Sequence, residues 1–374
     1  MTKHFYEAIA TLIGTVIGAG IFAIPYVVAK SGFLIGAFYI VFIGLSILMI
    51  NLYIGEIALR TKENHQLTGY AGKYLGKWGK RIMTFSMIFG IYGALTAYLI
   101  GEGNVLSAIF GGPPLIYSLL FFVVVSAIIY VGLKLIKRFE VLLCLIFLFI
   151  IFLMIAFSFG KIDLTNLAHI NLAYLFLPYG VVLFAFLGAA AIPEMKEELV
   201  KHKKMLKKAI IFGSLIPLVV YLIFALVVVG VTGLGTTEIA TIGLGNLIGE
   251  KMILFGNLFA IFAMATSFLT LGLALKQMYN YDYKLNNKIA WLLTCSVPLI
   301  VFLLGVKSFI KTIGIAGAIA GGIDGILIVL IFWRVKKLGE RKPEYSLNKN
   351  RLIGMILMLV FILGVAYTVW SLIR

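Results

Sequence analysis

Eleven runs of apolar residues, each long enough to cross a lipid bilayer, divide this chain of 374 residues. A helix that crosses the hydrocarbon core needs about 20 predominantly apolar residues. Hydrophobic side chains make up 62% of the chain and charged ones 13%, which is too apolar for a soluble domain. The sequence therefore predicts an all-α, polytopic integral membrane protein. The runs cover approximately 5–29, 33–59, 81–110, 114–133, 138–160, 171–193, 205–232, 250–279, 288–306, 311–334 and 351–373.

The Lys and Arg residues lie mostly in every second connection between these runs. With the N-terminus placed in the cytoplasm, 26 of the 32 fall on the cytoplasmic side, in agreement with the positive-inside rule. We therefore expect a multi-pass protein of the cell membrane, with a cytoplasmic N-terminus and an extracytoplasmic C-terminus. Membrane lipids are expected partners, and nucleic acid is not. The basic and aromatic stretch 68–81 is interpreted as an anchored loop or a segment in the headgroup plane.

Two of the runs carry glycine and proline where a helix would cross the middle of the membrane. Irregular backbone at that depth is tolerated only where it lines a cavity or is buried in protein. The alternative reading of the glycines in the first run is a close-packing face for another helix. A matched cluster in the sixth run favours two unwound segments. The residues are Gly14, Gly18, Gly20 and Pro25 in the first run and Pro178, Gly180, Gly188 and Pro193 in the sixth.

The spacing of the two clusters predicts an internal repeat. Five spans separate one break from the next, and because five is odd, two successive five-span units must insert with opposite orientations. We expect a first repeat over about 5–160, a second over about 171–334 and an extra helix over about 351–373, all in one transporter domain. Broken helices at matching positions of two halves indicate a binding site near the bilayer midplane.

Three stretches carry a resemblance to a known group of transporters. GTVIGAGIFAIPY, from Gly14, resembles the first-helix motif of the amino acid–polyamine–organocation superfamily. PYGVVLFAFLGAAAIPEMKEEL, from Pro178, and GYAGKYLGKWGK, from Gly69, resemble its amino acid/auxin permease branch, which includes aromatic and hydroxy amino acid permeases. The resemblance implies a LeuT-like fold of five plus five helices with an eleventh added, and secondary active transport.

The breaks predict how an amino acid would be held. Beyond Gly18 the outer half of the first span begins with unpaired N–H groups, which attract a carboxylate. Carbonyl groups at the sixth-span break lose their helical partners and can accept hydrogen bonds from an α-ammonium group. The predicted substrate-binding residues are Gly18, Ala19, Gly20, Ile21, Phe184, Ala185, Phe186 and Gly188.

The eighth span offers oxygen atoms for a cation. Ala263, Thr266 and Ser267 share one helix face at spacings of three and four. The resemblance implies that sodium-coupled members complete such a site with carbonyls of the first span, here those of Gly14 and Ile17. It also implies that proton-coupled relatives often place a lysine from the fifth span there, and none lies between Arg138 and Lys161. The alternative is that the hydroxyls bond their own helix. A bound Na⁺ is the single cofactor considered.

Ionisable residues inside membrane spans are costly and are therefore functional candidates. Glu102 and Asp324 are the candidates for coupling or gating within the spans, each with structural pairing as the alternative. Glu194 follows Pro193 and is expected at the inner mouth of the pathway.

The predicted function is secondary active transport of α-amino acids by alternating access, coupled to Na⁺ or H⁺. The expected substrates are neutral amino acids, aromatic or branched ones among them. An amino-acid sensor of the same fold is the first alternative. An intramembrane lipid-modifying enzyme is remote, since the spans carry no clustered acidic pair, H-E-x-x-H or G-x-S-x-G motif. We therefore expect no enzymatic activity.

Overall fold

A computed structural model describes residues 3–131, 136–281 and 283–373, and helices account for most of them. Short 3-10 turns and loops connect the helices, and a π-helical turn over Gly317–Gly321 joins α13 to α14. The helices are α1 (Lys3–Val16), α2 (Gly20–Ser31), α3 (Phe33–Arg60), α4 (Leu67–Phe110), α5 (Pro114–Val131), α6 (Ile136–Phe159), α7 (Leu177–Ala185), α8 (Ala191–Glu198), α9 (Leu206–Thr232), α10 (Ala240–Ile248), α11 (Glu250–Tyr281), α12 (Asn287–Leu303), α13 (Phe309–Ala316), α14 (Gly322–Leu338) and α15 (Arg351–Ile373).

Each predicted span contains helix. Among the described residues, seven helical segments are long and apolar enough to cross a membrane, and α1 with α2 forms an eighth as a bent pair. The other three predicted spans correspond to α6, to α12 and to the pair α7 and α8. The short helix α10, in the connection between α9 and α11, was not predicted. The all-helical membrane architecture predicted from the sequence is confirmed.

Helix α4 begins 14 residues before the predicted third span. The segment 68–81 is helical, not a loop, and it joins the membrane-crossing part of α4 through a kink at Gly76. Gly76 has φ 78° and ψ −165°, a conformation that is essentially restricted to glycine. The kink therefore lets a basic, aromatic helical turn change direction where it meets the membrane-crossing helix.

The first span is broken in the middle of the membrane. α1 and α2 are bent by 53°, and Ile17, Gly18 and Ala19 between them are not helical. The Gly18 N–H turns back to the Val16 carbonyl at 2.9 Å. Among the described residues, the Ala19 amide has no backbone acceptor. It stands directly before Gly20, the first residue of α2, and is open to a ligand.

The sixth span is broken in the same manner. α7 ends at Ala185 and α8 begins at Ala191, so residues 186–190 interrupt the helix. The Leu187 N–H bonds the Phe184 carbonyl at 3.1 Å, and the Ala191 N–H bonds the Gly188 carbonyl at 3.0 Å. Within the described part of the chain, the carbonyl of residue 186 accepts no backbone hydrogen bond. The break leaves polar backbone groups that need partners other than water.

One tyrosine of α9 joins the two breaks. The Tyr221 hydroxyl lies 2.6 Å from the Val16 carbonyl and 3.0 Å from the Ala185 carbonyl, and its side chain is fully buried. Val16 ends α1, and Ala185 ends α7. Tyr221 therefore supplies a donor to two helix ends at once, which reduces the cost of unwinding both spans.

On the membrane face where α1 begins, the connection 339–350 ties α14 to α3. The buried Glu56 carboxylate accepts hydrogen bonds from Arg60 Nε at 2.7 Å, from the Leu347 amide at 2.6 Å and from Lys336. In the same connection, the hydrogen bond from Lys73 lowers the pKa of the exposed Glu340 carboxyl. The ends of α3, α4 and α14 are thus held together by ion pairs outside the hydrocarbon.

We predict that Gly76→Ala destabilises the protein, because the φ and ψ values at the kink are strained for any residue with a Cβ. The expected loss is about 1–3 kcal/mol in the free energy of unfolding, measured by thermal unfolding in detergent. Gly72→Ala is the control: Gly72 is helical and its added Cβ would make ordinary contact with Lys80, so stability should rise by up to about 1 kcal/mol. Equal losses in the two variants would contradict the prediction.

We predict that Tyr221→Phe lowers the free energy of unfolding by about 1–3 kcal/mol, because two buried carbonyls lose their hydroxyl donor. The same thermal assay measures it. Tyr283→Phe, at a side chain that is 52% exposed, is the control and should be neutral. A Tyr221→Phe protein as stable as the control would show that the hydroxyl does not hold the breaks.

Candidate functional site

A cavity of about 260 Å³ lies beside both breaks. The first break and the α1 turn before it form one wall, and the α7–α8 break forms another. Helices α4 and α11 close the sides, with Cys144 and Phe147 of α6 and Asp324 of α14 at the margins. The lining is mostly apolar with a few polar groups, as in binding sites for small molecules.

The cavity lies toward the membrane face where α1 begins. Its lining on α4 extends from Tyr98 to Leu67 at the start of that helix. On the opposite side, α2, α7 and α13 pack backbone to backbone. A Cβ added at Gly20 would lie 2.6 Å from Ala185 Cα, and one added at Gly180 would lie 2.2 Å from the Gly314 carbonyl oxygen. Glycine at these positions permits the close contact that closes the far side.

The structure brings most of the predicted substrate-binding residues to this cavity. Ile21 is fully buried and is not part of the lining, and its N–H makes a long, 3.4 Å contact with the Gly18 carbonyl. The Phe186 side chain is also buried, with its ring 5.1 Å from that of Tyr221. The lining residues of the set are Gly18, Ala19, Gly20, Phe184, Ala185 and Gly188.

The arrangement presents opposite backbone polarity on two walls. The Ala19 and Gly20 amides stand at the N-terminal end of α2, where the helix dipole favours an anion. The α7 break contributes carbonyl oxygens, of which that of Ala185 is already bonded to Tyr221. A small zwitterion can therefore be bound with its carboxylate at the first break and its ammonium group at the second.

The five predicted cation ligands gather where α11 faces the first break. Gly14, Thr266 and Ser267 line the cavity, while Ile17 and Ala263 are buried beside it. Ser267 Oγ lies 3.0 Å from the position of an added Cβ on Gly18. The Thr266 hydroxyl donates to the Phe262 carbonyl of its own helix, which is the alternative predicted from the sequence for these hydroxyls. Its lone pairs remain available to a cation.

Sequence reasoning missed two tyrosines of the site. Tyr98 of α4 lines the cavity, with its hydroxyl beside Ser267. The Tyr221 hydroxyl donates to one backbone carbonyl at each break. Each is a phenol in an otherwise apolar membrane run, where a buried hydroxyl needs a partner. That demand could have identified both residues, but it could not have told which backbone group each one binds.

The three candidate carboxylates occupy different environments. Asp324 borders the cavity at the start of α14. Glu102 is fully buried in α4 and lies outside the cavity lining. Glu194 lies in the first turn of α8, partly exposed. Of the three, the structure places Asp324 alone in the lining.

Comparisons with known proteins agree with this geometry. Three relatives are the tyrosine-specific transport system 1 of Haemophilus influenzae (27% identical, 95% of this chain and 93% of the relative), glutamine transporter 2 of Aliivibrio fischeri (26%, 85% and 86%) and a tryptophan-specific transport protein of Shigella flexneri (24%, 92% and 90%). All three are named as transporters of amino acids.

The fold matches that of a solved transporter. The structure of MhsT in complex with L-phenylalanine superimposes with a TM-score of 0.70, covering 99% of this chain and 98% of that one at 17% identity. The predicted LeuT-like fold is thereby confirmed. The family model of the tryptophan/tyrosine permeases matches residues 1–371. The chain is thus a multi-pass membrane permease and not an enzyme, and it belongs to the tryptophan/tyrosine permease family.

Proposed function

We propose that this permease is a secondary active transporter that moves neutral α-amino acids by alternating access, with Na⁺ or H⁺ as the coupling ion. The observation that carries the proposal is the pair of helix breaks on one cavity, with the open amide of Ala19 on one wall and carbonyls on the other. Its relatives are named for tyrosine, tryptophan and glutamine. These side chains are uncharged, which agrees with a cavity lined by few charged groups.

The breaks supply recognition that does not depend on the side chain. Every α-amino acid carries the same carboxylate and ammonium groups, and backbone groups bind them without a buried Arg or Asp. The side chain then projects toward α4 and α11, where Ile91, Ala94 and Leu271 offer apolar contacts. Selectivity among neutral amino acids would follow from the shape of this region.

Alternating access follows from the one-sided opening. With the N-terminus in the cytoplasm, as the Lys and Arg distribution predicts, the cavity faces the cytoplasm and the packed side faces outward. Spans 1, 2, 6 and 7 would then move against spans 3–5 and 8–10 to reverse the opening. The contacts of Gly20 with Ala185 and of Gly180 with Gly314 are those that must separate when the outer side opens.

Uptake into proteoliposomes tests the proposal. We expect labelled L-tyrosine, L-tryptophan or L-glutamine to accumulate when a Na⁺ or H⁺ gradient is imposed. Binding of an amino acid without uptake would instead favour the sensor of the same fold. No binding and no uptake for any proteinogenic amino acid would contradict both.

We predict that Gly20→Ala abolishes the stabilisation that a bound amino acid gives, because the methyl group would collide with Ala185 and displace the open amide of Ala19. Ligand binding increases the free energy of unfolding by mass action, by about 2.7 kcal/mol when the ligand is at a hundredfold excess over the dissociation constant. The unfolding temperature rises accordingly. The matched control is Gly235→Ala, since an added Cβ there has no heavy atom within 4 Å. Both variants are screened with the twenty amino acids. A normal ligand shift in Gly20→Ala would contradict the assigned site.

If Na⁺ is a ligand of this permease, we expect it to bind where α11 faces the first break. In that case Ser267→Ala removes one oxygen ligand and raises the Na⁺ concentration for half-maximal stabilisation by about tenfold or more, which corresponds to about 1.4 kcal/mol. Ser371→Ala, near the end of α15 and exposed, is the control. If Na⁺, compared with choline, changes neither stability nor amino acid binding, the sodium site is ruled out.

A further inference from the structure

A carboxyl group without a donor borders the cavity away from the helix breaks. Asp324 lies in the first turn of α14, three residues after the π-helical turn Gly317–Gly321. Its Oδ1 atom is buried, and among the described residues it has no hydrogen-bond partner. The side chain nevertheless forms part of the cavity lining. An ionised carboxylate at membrane depth without donors is costly.

Ser86 of α4 is a polar side chain beside the Asp324 carboxyl group. The Ser86 hydroxyl donates to the Ala320 carbonyl of the π-helical turn at 3.0 Å. A hydroxyl has one proton and two lone pairs, so Ser86 can offer Asp324 only lone pairs while that bond is made. A neutral carboxylic acid can donate to a lone pair, whereas a carboxylate cannot. The arrangement therefore suits the protonated form of Asp324.

Among the described residues, no charged side chain of the neighbouring helices lies beside Asp324 to balance the charge of an ionised carboxylate. Helices α3, α4, α7, α13 and α15 pack on α14 or on the π-helical turn, and none places a charged group beside Asp324 among the described residues. Tyr98, which lines the cavity, has its hydroxyl beside Ser267. The ionisable residues near the ends of these packed helices are engaged or exposed. The engaged ones are Glu56 with Lys336 and Arg60, Lys73 with Glu340, and Arg81 over the Trp78 ring. The exposed ones are Lys77, Lys80, Lys311 and Arg351.

Asp324 lies beside two features that a transport cycle would use, the cavity and the broken sixth span. Ala320 contacts Gly90 of α4, and both residues line the same cavity as the first break. Water that reaches the substrate from this side therefore reaches Asp324 as well. The π-helical turn packs on Phe184 of α7 through Gly317. A movement of the broken sixth span would therefore displace the turn that precedes Asp324.

We propose that Asp324 is the proton-binding site of this permease, with Ser86 as its positioning residue. This inference rests on the proposed transport function and specifies its coupling. In one cycle, the Asp324 carboxylate takes a proton from water on the far side and becomes a carboxylic acid. It returns that proton to water in the cavity after the opening reverses. Only an O–H bond forms and breaks, and each proton crosses with one amino acid.

The test uses the full-length protein in proteoliposomes with the membrane potential clamped at zero. With labelled L-tyrosine, L-tryptophan or L-glutamine, a gradient of one pH unit should drive about tenfold accumulation, which a trapped pH dye should record as proton entry. Asp324→Asn should lose this accumulation. It should retain exchange of internal for external amino acid, at a rate independent of pH, because the amide resembles the neutral acid. Asp163→Asn, in the exposed connection before α7, is the matched control and should behave as the unmodified chain.

Infrared spectroscopy of the protein without substrate provides a second readout. A carbonyl stretch of a protonated carboxyl group should be present at neutral pH in Glu102→Gln, a background that removes the buried Glu102 carboxyl group, which also has no hydrogen-bond partner among the described residues. In that background the band should be absent when Asp324→Asn is added and shifted when Asp324→Glu or Ser86→Ala is added. Accumulation in Asp324→Asn equal to that of the unmodified chain would overturn the proposal, and so would accumulation driven by Na⁺ without proton entry. Absence of the infrared band would overturn it even if no amino acid is exchanged. Failure of exchange with the band intact would count against the transport function instead.

Discussion

The structure depends on one constraint, which is that peptide groups inside the hydrocarbon need hydrogen-bond partners. Two spans give up helical bonding at Gly18 and at 186–190, and the molecule compensates at each break. The Tyr221 hydroxyl bonds one carbonyl from each span. The amide left open, that of Ala19, belongs to a residue that lines the cavity, where a ligand can satisfy it. The unpaired backbone groups that make a broken membrane helix unfavourable are thus confined to the site where an amino acid would bind them.

Glycine contributes to the site in two distinct ways. At Gly18 the absence of a side chain allows the chain to unwind next to Ser267, so that α11 approaches the break. At Gly20 and Gly180 it allows two backbones to touch and close one side of the cavity. A closure made of backbone contacts has little side-chain interlocking to undo. Such a contact can separate and re-form with small changes in packing, as a pathway that opens alternately to two sides requires.

The sequence predicted the features that arise from local chemistry. Apolar run length identified the spans, and the glycine and proline clusters identified both breaks, so that six of the eight predicted substrate-binding residues line the cavity. Features that arise from pairing between distant segments were not predicted. Tyr221 is one phenol in an apolar run, and its two acceptors are 205 and 36 residues away in the chain. The π-helical turn likewise accepts a hydrogen bond at the Ala320 carbonyl from Ser86 of α4, which lies 234 residues away in the chain. The kink at Gly76 was hidden by a stretch whose composition fits a loop as well as a helix.

The same reasoning separates the two carboxylates within the membrane spans that the sequence could not rank. Composition and depth make Glu102 and Asp324 equally unusual. A group that couples an ion gradient to transport must exchange its ion with water on each side in turn, so burial alone is insufficient. Glu102 is fully buried outside the cavity lining, whereas Asp324 borders the cavity next to a helical turn that packs on the broken sixth span. Access to solvent and contact with the moving element therefore favour Asp324. The π-helical turn before Asp324 supplies the Ala320 carbonyl that accepts the Ser86 proton, so the Ser86 oxygen remains an acceptor for the acid.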